Sequence, residues 1–293
     1  MLLSIITLNY KKPELTLACI ASAYKQYQKE FQNGTIELIV VDNGSGDGSV
    51  ETIEKAIKKE QYAHVNLIAN TENGGFGKGC NLGAHKAKGE YLLFLNNDTF
   101  VKDKNLLVMA KYLQNHTEVT ILGGLLRNTD GTPQASAGKF YTPLKALSFL
   151  LGLQRYGLSD KNPTTISQVD WVKGAVFMIQ KNIFEKLGGF DEKIFMYTED
   201  MELCYRANLA GYKTFFYPDI MIVHKEHGSA NRTFAIVNIY KNLLYFYKKH
   251  RSRGEYLFLR SLMATKAGIL LTAGKILKNT YLTQTYEQAL KAL

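Results

Sequence analysis

Cysteine is scarce: Cys19, Cys80 and Cys204 are the only three, far apart and without metal-ligand spacing. That pattern excludes a disulfide scaffold and reads as reduced thiols in a cytosolic compartment. No uncharged apolar run approaches the ~20 residues needed to span a bilayer. The N-terminus, MLLSIITLNYKK, lacks a basic n-region, and Asn9 and Tyr10 interrupt it early. It reads as a first strand and not as a signal peptide. No internal repeat and no low-complexity segment is visible. Acid is nearly missing from one end. Residues 232–293 hold eleven Lys and Arg against Glu255 and Glu287, a net of +9 out of +10 for the whole chain. A basic tail on an almost neutral body points to an anionic surface, membrane lipid in preference to nucleic acid. The tail also lacks the regular interleaving of aromatic and basic residues that would favour nucleic acid.

What is present is the composition of a globular protein, 46% hydrophobic and 21% charged. The length suits one large α/β domain with an extension, or two small domains. Apolar runs over 2–8, 36–41, 65–69 and 91–95 predict strands. Helices are expected over 14–28, with Pro13 at the start, over 50–59, and from a Gly-rich loop at 73–81 up to about residue 88. This fourfold strand–helix alternation predicts a parallel sheet with helices on both faces. Further on, helices are expected over 105–114, 182–187 and 199–210, the last closed by Gly211. Strands are expected over 120–126, 214–217 and 221–223, and over 169–180 with a break at Gly174. Residues 128–138 are polar and turn-rich, 144–156 are apolar without a clear period, and 160–165 read as an exposed loop. In the tail, Ile236, Ile239, Tyr240, Leu243, Leu244 and Tyr247 share one helical face. A turn at 251–254 then leads into a mixed apolar and basic run, 256–277.

In open α/β sheets ligands bind at the carboxyl ends of the strands. Four polar groups stand there: Thr7 to Asn9, Asp42, the 73–79 loop, and Asn96-Asn97-Asp98. Asp42 suits the N–H of a pyrimidine base. The loop, with Asn73, Gly75 and Lys78, suits phosphates at a helix N-terminus. It fits neither G-x-G-x-x-G nor a Walker GK[ST]. Asp98 suits Mg²⁺ or Mn²⁺, which prefer carboxylate, amide and phosphate oxygens. Each group has a plainer reading as turn chemistry or as a loop before a helix. Their shared sheet edge is what favours function.

The stretches VDNGSGDGS at 41–49, NGGFGKGCN at 73–81 and LNNDT at 95–99 resemble the inverting family 2 glycosyltransferases, especially the rhamnosyltransferase-like branch. So do WVKGAVFMIQK at 171–181, GGFDEKIFMYTEDMELCYRANLAGYK at 188–213 and VHKEHGS at 223–229. The resemblance covers roughly residues 2–230. It implies a GT-A fold: a mixed central sheet with helices on both faces, a nucleotide-binding half (1–100) and an acceptor-binding half (101–231). A basic extension of amphipathic helices (232–293) would follow. Asp42 matches the acid that contacts the base, with Thr7 and Asn9 beside it. Asp98, with Asn97, matches the end of the DxD element that binds metal and donor diphosphate. Its first position is Asn96 here, which removes one charge and predicts a weaker metal site. His224, or His227 three residues on, matches a histidine that completes metal coordination; His224 is favoured because it follows the strand directly. In Glu199-Asp200 the Asp matches the general base. Acids in a first helical turn also simply favour its dipole. Lys78 is placed to help the metal neutralise the leaving diphosphate. Trp171, Lys173 and Gly174 match the cleft near the acceptor, although Trp171 reads equally as core. Glu202 and Arg206, one turn apart, read as an ion pair.

The resulting expectation is a metal-dependent, inverting transferase that uses Mg²⁺ or Mn²⁺ and a dTDP- or UDP-sugar, dTDP-rhamnose first. Its acceptor would be a cell-surface or lipid-linked glycan at the cytoplasmic face of the membrane, met through the basic helices. The rival reading is a nucleotide-sugar- or glycan-binding protein without catalysis, for which Asn96 is the one argument. The sequence does not fix oligomeric state.

Overall fold

The computed structural model describes residues 1–140, 142, 143, 145, 162–225 and 231–293. These fall into two compact units. The first holds 1–139, 162–195 and 199–225; the second holds 140, 142, 143, 145, 196–198 and the chain from 231 onward. The apolar stretch at 144–156, apart from Lys145, and His227 lie outside the described residues.

In the first unit the chain alternates strand and helix as its apolar runs predict. The order is β1 (Leu3–Asn9), α1 (Pro13–Gln32), β2 (Ile36–Asp42), α2 (Ser49–Lys59), β3 (Val65–Ala69), α3 (Gly75–Lys86) and β4 (Tyr91–Leu95). Pro13 sits in the first turn of α1, where a missing N–H costs nothing. β2 and β4 are buried along their whole lengths, as continuous apolar strands covered on both faces must be. β5 (Thr99–Phe100), α4 (Asn105–Asn115), β6 (Ile121–Arg127), β7 (Ala137–Gly138), β8 (Ser167–Val169), β9 (Trp171–Val172) and β10 (Val176–Gln180) follow. The unit ends with α5 (Lys181–Lys186), α6 (Glu199–Leu209) and β11 (Thr214–His224).

The main sheet runs β3-β2-β1-β4-β10-β6-β11-β5, with β8 also paired to β11. β3, β2, β1 and β4 are mutually parallel. β10 enters antiparallel between β4 and β6, which makes the sheet mixed. The chain winds outward from β1 to β3 and then returns to the other side of β1 as β4. That reversal opens a crevice at the carboxyl ends of β1 and β4.

Four local expectations are corrected. The glycine-rich stretch is not a loop before a helix, because α3 already begins at Gly75. A Cβ on Gly75 would run into the Phe195 carbonyl, and one on Gly83 would lie 2.6 Å from Ile6 Cγ2. These glycines let α3 approach β1 and the 190–195 segment closely. The two strands expected over 214–223 are one, β11, with a register shift between Tyr217 and Met221 that absorbs Pro218. The single broken strand over 169–180 is three, and β9 leaves the main sheet to pair with β7. The tail carries a helix more than the two expected.

That tail forms the second unit: α7 (Arg232–His250), α8 (Arg253–Ile276) and α9 (Thr280–Lys291). Ser252 and Glu255 close a capping box at the start of α8. Tyr240, Leu243, Leu244 and Tyr247 of α7 are buried, as their shared face predicts. Asn242, also buried, donates to the carbonyls of Met196 (2.7 Å) and Tyr197 (3.1 Å).

Candidate active site

Strand register brings distant residues together at the crevice. Thr99 of β5 pairs with His224 of β11, and the Lys225 N–H donates to the Asp98 carbonyl at 2.9 Å. His224 therefore stands beside Asp98, with Nε2 3.2 Å from Oδ1. Both side chains are buried. Gln134 fixes the imidazole. Its Nε2 donates to the His224 carbonyl (2.9 Å) and to Asn128 Oδ1 (2.7 Å), so its Oε1 must face His224 Nδ1, 2.8 Å away. That assignment puts the imidazole proton on Nδ1 and leaves a lone pair on Nε2. The Asn96 amide, 3.4 Å from Nε2, is a compatible donor. Asp98 Oδ1 accepts no hydrogen bond among the described residues. Two buried acceptors 3.2 Å apart, Oδ1 without a donor and Nε2 met only by the long Asn96 contact, suit a cation beside them. A glutamine holding the far ring nitrogen is the arrangement that orients metal-ligating histidines. The residues thus fit a divalent ion. Among the described residues, no group of three or more His, Cys, Asp or Glu surrounds the point. Further ligands would have to be phosphate and water, as Mg²⁺ ordinarily takes them.

The acid pair stands one dipeptide away. Asn96 N–H donates to the Ala175 carbonyl at 3.2 Å, and Gly174 N–H donates to Asp200 Oδ2 at 2.8 Å. Gly174-Ala175 therefore bridges the Asn96–Asp98 turn to Asp200, whose Oδ1 accepts from the Met201 N–H at 2.7 Å. Burial raises the Asp200 pKa, opposed by these two N–H groups and by the charge of Lys173. Glu199 is raised to about 8, by burial and then by the Asp200 charge. At neutral pH Glu199 therefore keeps its proton. Just before the pair, Tyr197 (φ 71°) and Thr198 (φ 74°) adopt left-handed backbone, a strain that tends to gather at functional sites.

The ends of β1 and β2 form a second polar cluster. Asp42 accepts from Asn9 Nδ2 (2.7 Å), Ser45 Oγ (2.6 Å) and the Ser45 N–H (2.9 Å), and Asn9 Oδ1 accepts from Thr16 (2.8 Å). Asp42, Asn9 and Thr7 are all buried. Asn43, not singled out in the sequence, ties β2 to α3 by donating to Asn73 Oδ1 (3.0 Å) and the Gly75 carbonyl (2.9 Å). Lys78 pairs with Glu72 at 2.8 Å on the surface. Asn97 donates to Thr16 Oγ1 at 3.0 Å and so shapes its turn. Trp171 is half-buried and not core; its indole N–H donates to the Lys139 carbonyl at 3.1 Å. Arg206 pairs with Glu202 at 2.8 Å as expected, but the pair holds structure: Glu202 is fully buried, and Arg206 also donates to the carbonyls of Leu187 and Gly189. Gln134 escaped the sequence reading, since its partner lies 90 residues away and its own segment reads only as turn.

Residues 4–188 match the model of the family described as glycosyl transferase family 2. The chain belongs to this family: it is a glycosyltransferase with a GT-A fold. It is 28% identical over 184 residues to rhamnosyltransferase WbbL of Escherichia coli, covering 60% of this chain and 69% of that one. It is 24% identical over 220 residues to the N-acetylglucosaminyl-diphospho-decaprenol L-rhamnosyltransferase of Mycobacterium tuberculosis, covering 67% and 69%. Two solved structures share the fold at lower identity. GalNAc-T7 with UDP, GalNAc and Mn²⁺ superposes with a TM-score of 0.62 at 19% identity, over 85% of this chain and 48% of that one. The mannosyltransferase PcManGT from Pyrobaculum calidifontis, in complex with GDP-Man and Mn²⁺, gives 0.59 at 16%, over 99% and 85%.

Proposed function

We propose that the chain moves a sugar, rhamnose from dTDP-rhamnose as the best fit, to a hydroxyl of a cell-surface or lipid-linked glycan at the cytoplasmic face of the membrane. Two relatives named as rhamnosyltransferases support the sugar, and the diphospho-decaprenol in one of those names supports a lipid-linked acceptor. Nucleotides and Mn²⁺ bound to the structural neighbours support a nucleoside diphosphate donor and a divalent ion. The observation that carries the reading is the Gly174-Ala175 bridge, which links Asp200 to the turn that carries Asp98.

In this reading Asp200 takes the proton of the acceptor hydroxyl as its oxygen attacks the anomeric carbon. The bond from that carbon to the diphosphate breaks on the opposite face, so configuration inverts. Glu199 stays protonated, and the N–H groups of Gly174 and Met201 and the charge of Lys173 favour the carboxylate form of Asp200. Asp98 and His224 would hold Mg²⁺ or Mn²⁺, and a metal there supplies the charge that stabilises the leaving diphosphate. Lys78 contributes only by giving up Glu72. Thr7, Asn9 and Asp42 border the base, Asn73 and Gly75 the diphosphate, and Trp171 and Lys173 the acceptor. Asp200→Asn should lower kcat about 10²–10⁴-fold, the worth of a general base, while donor still raises the melting temperature. Turnover that survives both Asp200→Asn and removal of divalent metal would sink the mechanism.

A further inference from the structure

The inference rests on the membrane part of the reading above and concerns α8. One face of this helix, Leu259, Met263, Ala267 and Gly274, is buried. A Cβ on Gly274 would lie 2.9 Å from Leu282 Cβ and Thr283 N, so α9 packs directly against this stripe. The other face is open apart from Leu262, which is half-buried. Phe258, Leu262, Thr265, Ile269, Thr272 and Ile276 recur at alternating spacings of four and three, which places them on one side of a helix. None is charged. Phe258 is 49% exposed, Ile269 63% and Ile276 74%, with Leu277 just beyond at 71%. Lone exposed apolar residues mean little, but a stripe of them along a 24-residue helix does not arise from packing.

Charge identifies the partner. Lys266, Lys275 and Lys278 have no carboxylate partner among the described residues, and residues 232–293 carry a net of +9. Two such tails repel, which disfavours a second copy, although the spacing would suit a helix pair. An anionic surface with an apolar interior satisfies both features. α8 is long and apolar enough to cross a bilayer by length and composition, and most of it is not buried. Arg260 and Lys266 interrupt it, and one face is already committed to α9. The arrangement is that of a helix lying in the plane of the interface.

We propose that α8 docks on an anionic bilayer through the stripe Phe258–Leu262–Ile269–Ile276, with Lys275 and Lys278 at the headgroups. The test is sedimentation of the full chain with phosphatidylcholine vesicles, with and without 30% phosphatidylglycerol, needing no donor or acceptor. Wild type should pellet with the anionic vesicles only, and less so at high salt. Phe258→Ser with Ile269→Ser and Ile276→Ser should lose binding at an unchanged melting temperature. Lys275→Glu with Lys278→Glu should weaken it at least about 25-fold, since each lysine near such a surface is worth about fivefold. Equal binding by the serine variant overturns the proposal, as does equal binding to neutral vesicles. A dimer that the serine variant dissociates, without vesicle binding, assigns the stripe to a second copy instead. Donor-induced thermal shift is read on the same samples. Its loss with vesicle binding intact counts against the transfer reading alone, and the reverse counts against the docking alone.

Discussion

Replacing Gln134 by leucine tests the logic of the metal pair more sharply than removing a ligand does. The side chain keeps its approximate volume but loses three hydrogen bonds: from His224 Nδ1, to the His224 carbonyl and to Asn128. The first two leave buried groups unsatisfied, at about 1–3 kcal/mol each, within reach of a fold stable by about 5–15 kcal/mol. Without its acceptor the imidazole no longer prefers the Nδ1–H form, and the Nε2 lone pair facing Asp98 is no longer assured. Loss of such an outer partner typically costs about 10–100-fold in metal affinity, or about 1.4–2.7 kcal/mol. Glutamate at 134 is the discriminating control. It keeps an acceptor for Nδ1–H while losing the two donated bonds, so stability should fall in both variants and metal affinity only in Gln134→Leu. Mn²⁺ titration by calorimetry, at saturating nucleoside diphosphate, reads the affinity; denaturant unfolding reads the stability. Undiminished Mn²⁺ affinity in the leucine variant, or equal loss in both, would refute the claim that Gln134 sets the tautomer.

Three further outcomes follow. Glu199 has its folded-state pKa raised to about 8, so its neutral form favours the fold. That contribution is present at pH values below the ordinary carboxylate range and is lost as pH rises toward 8; a wild-type melting temperature that falls no more than that of Glu199→Gln across this window would show the acid is not buried neutral. Gly75→Ala must displace the Phe195 carbonyl and hold a left-handed φ of 88°, and should cost about 2–4 kcal/mol in denaturant unfolding. His224→Ala should raise the Mn²⁺ concentration needed for half-maximal turnover at least about 10-fold; a change confined to the donor KM would speak against His224 as a ligand.

The strands were legible because β1, β2, β3 and β4 are short apolar runs stopped by turn residues, and a fully covered strand needs little else. Asp98, His224 and Asp200 were legible only as parts of ordered motifs, since each alone is also a turn or a helix start. The glycines of α3 misled because a phosphate cradle and close helix–strand packing both require a missing Cβ. β11 was split at Pro218 because a proline ordinarily ends a strand, and the register shift that accommodates it leaves no local mark. α9 was missed because its buried face includes Thr285 beside Tyr286 and Ala289, which blurs the apolar period. Gln134 is the hardest case: it lies outside any strand, and its partner comes from β11, 90 residues away.

The two-residue strand β5 also sets a schedule. It holds Asp98 next to His224 by pairing with the last residues of β11, with the Lys225 N–H on the Asp98 carbonyl beside it. A ribosome makes His224 roughly 6–25 s after Asp98, at about 5–20 residues per second. The parallel half of the sheet, β1 to β4, is complete long before that. A nascent chain can therefore shape the crevice early, yet it has no paired ligands with which to capture a free divalent ion until β11 has been synthesised and has docked.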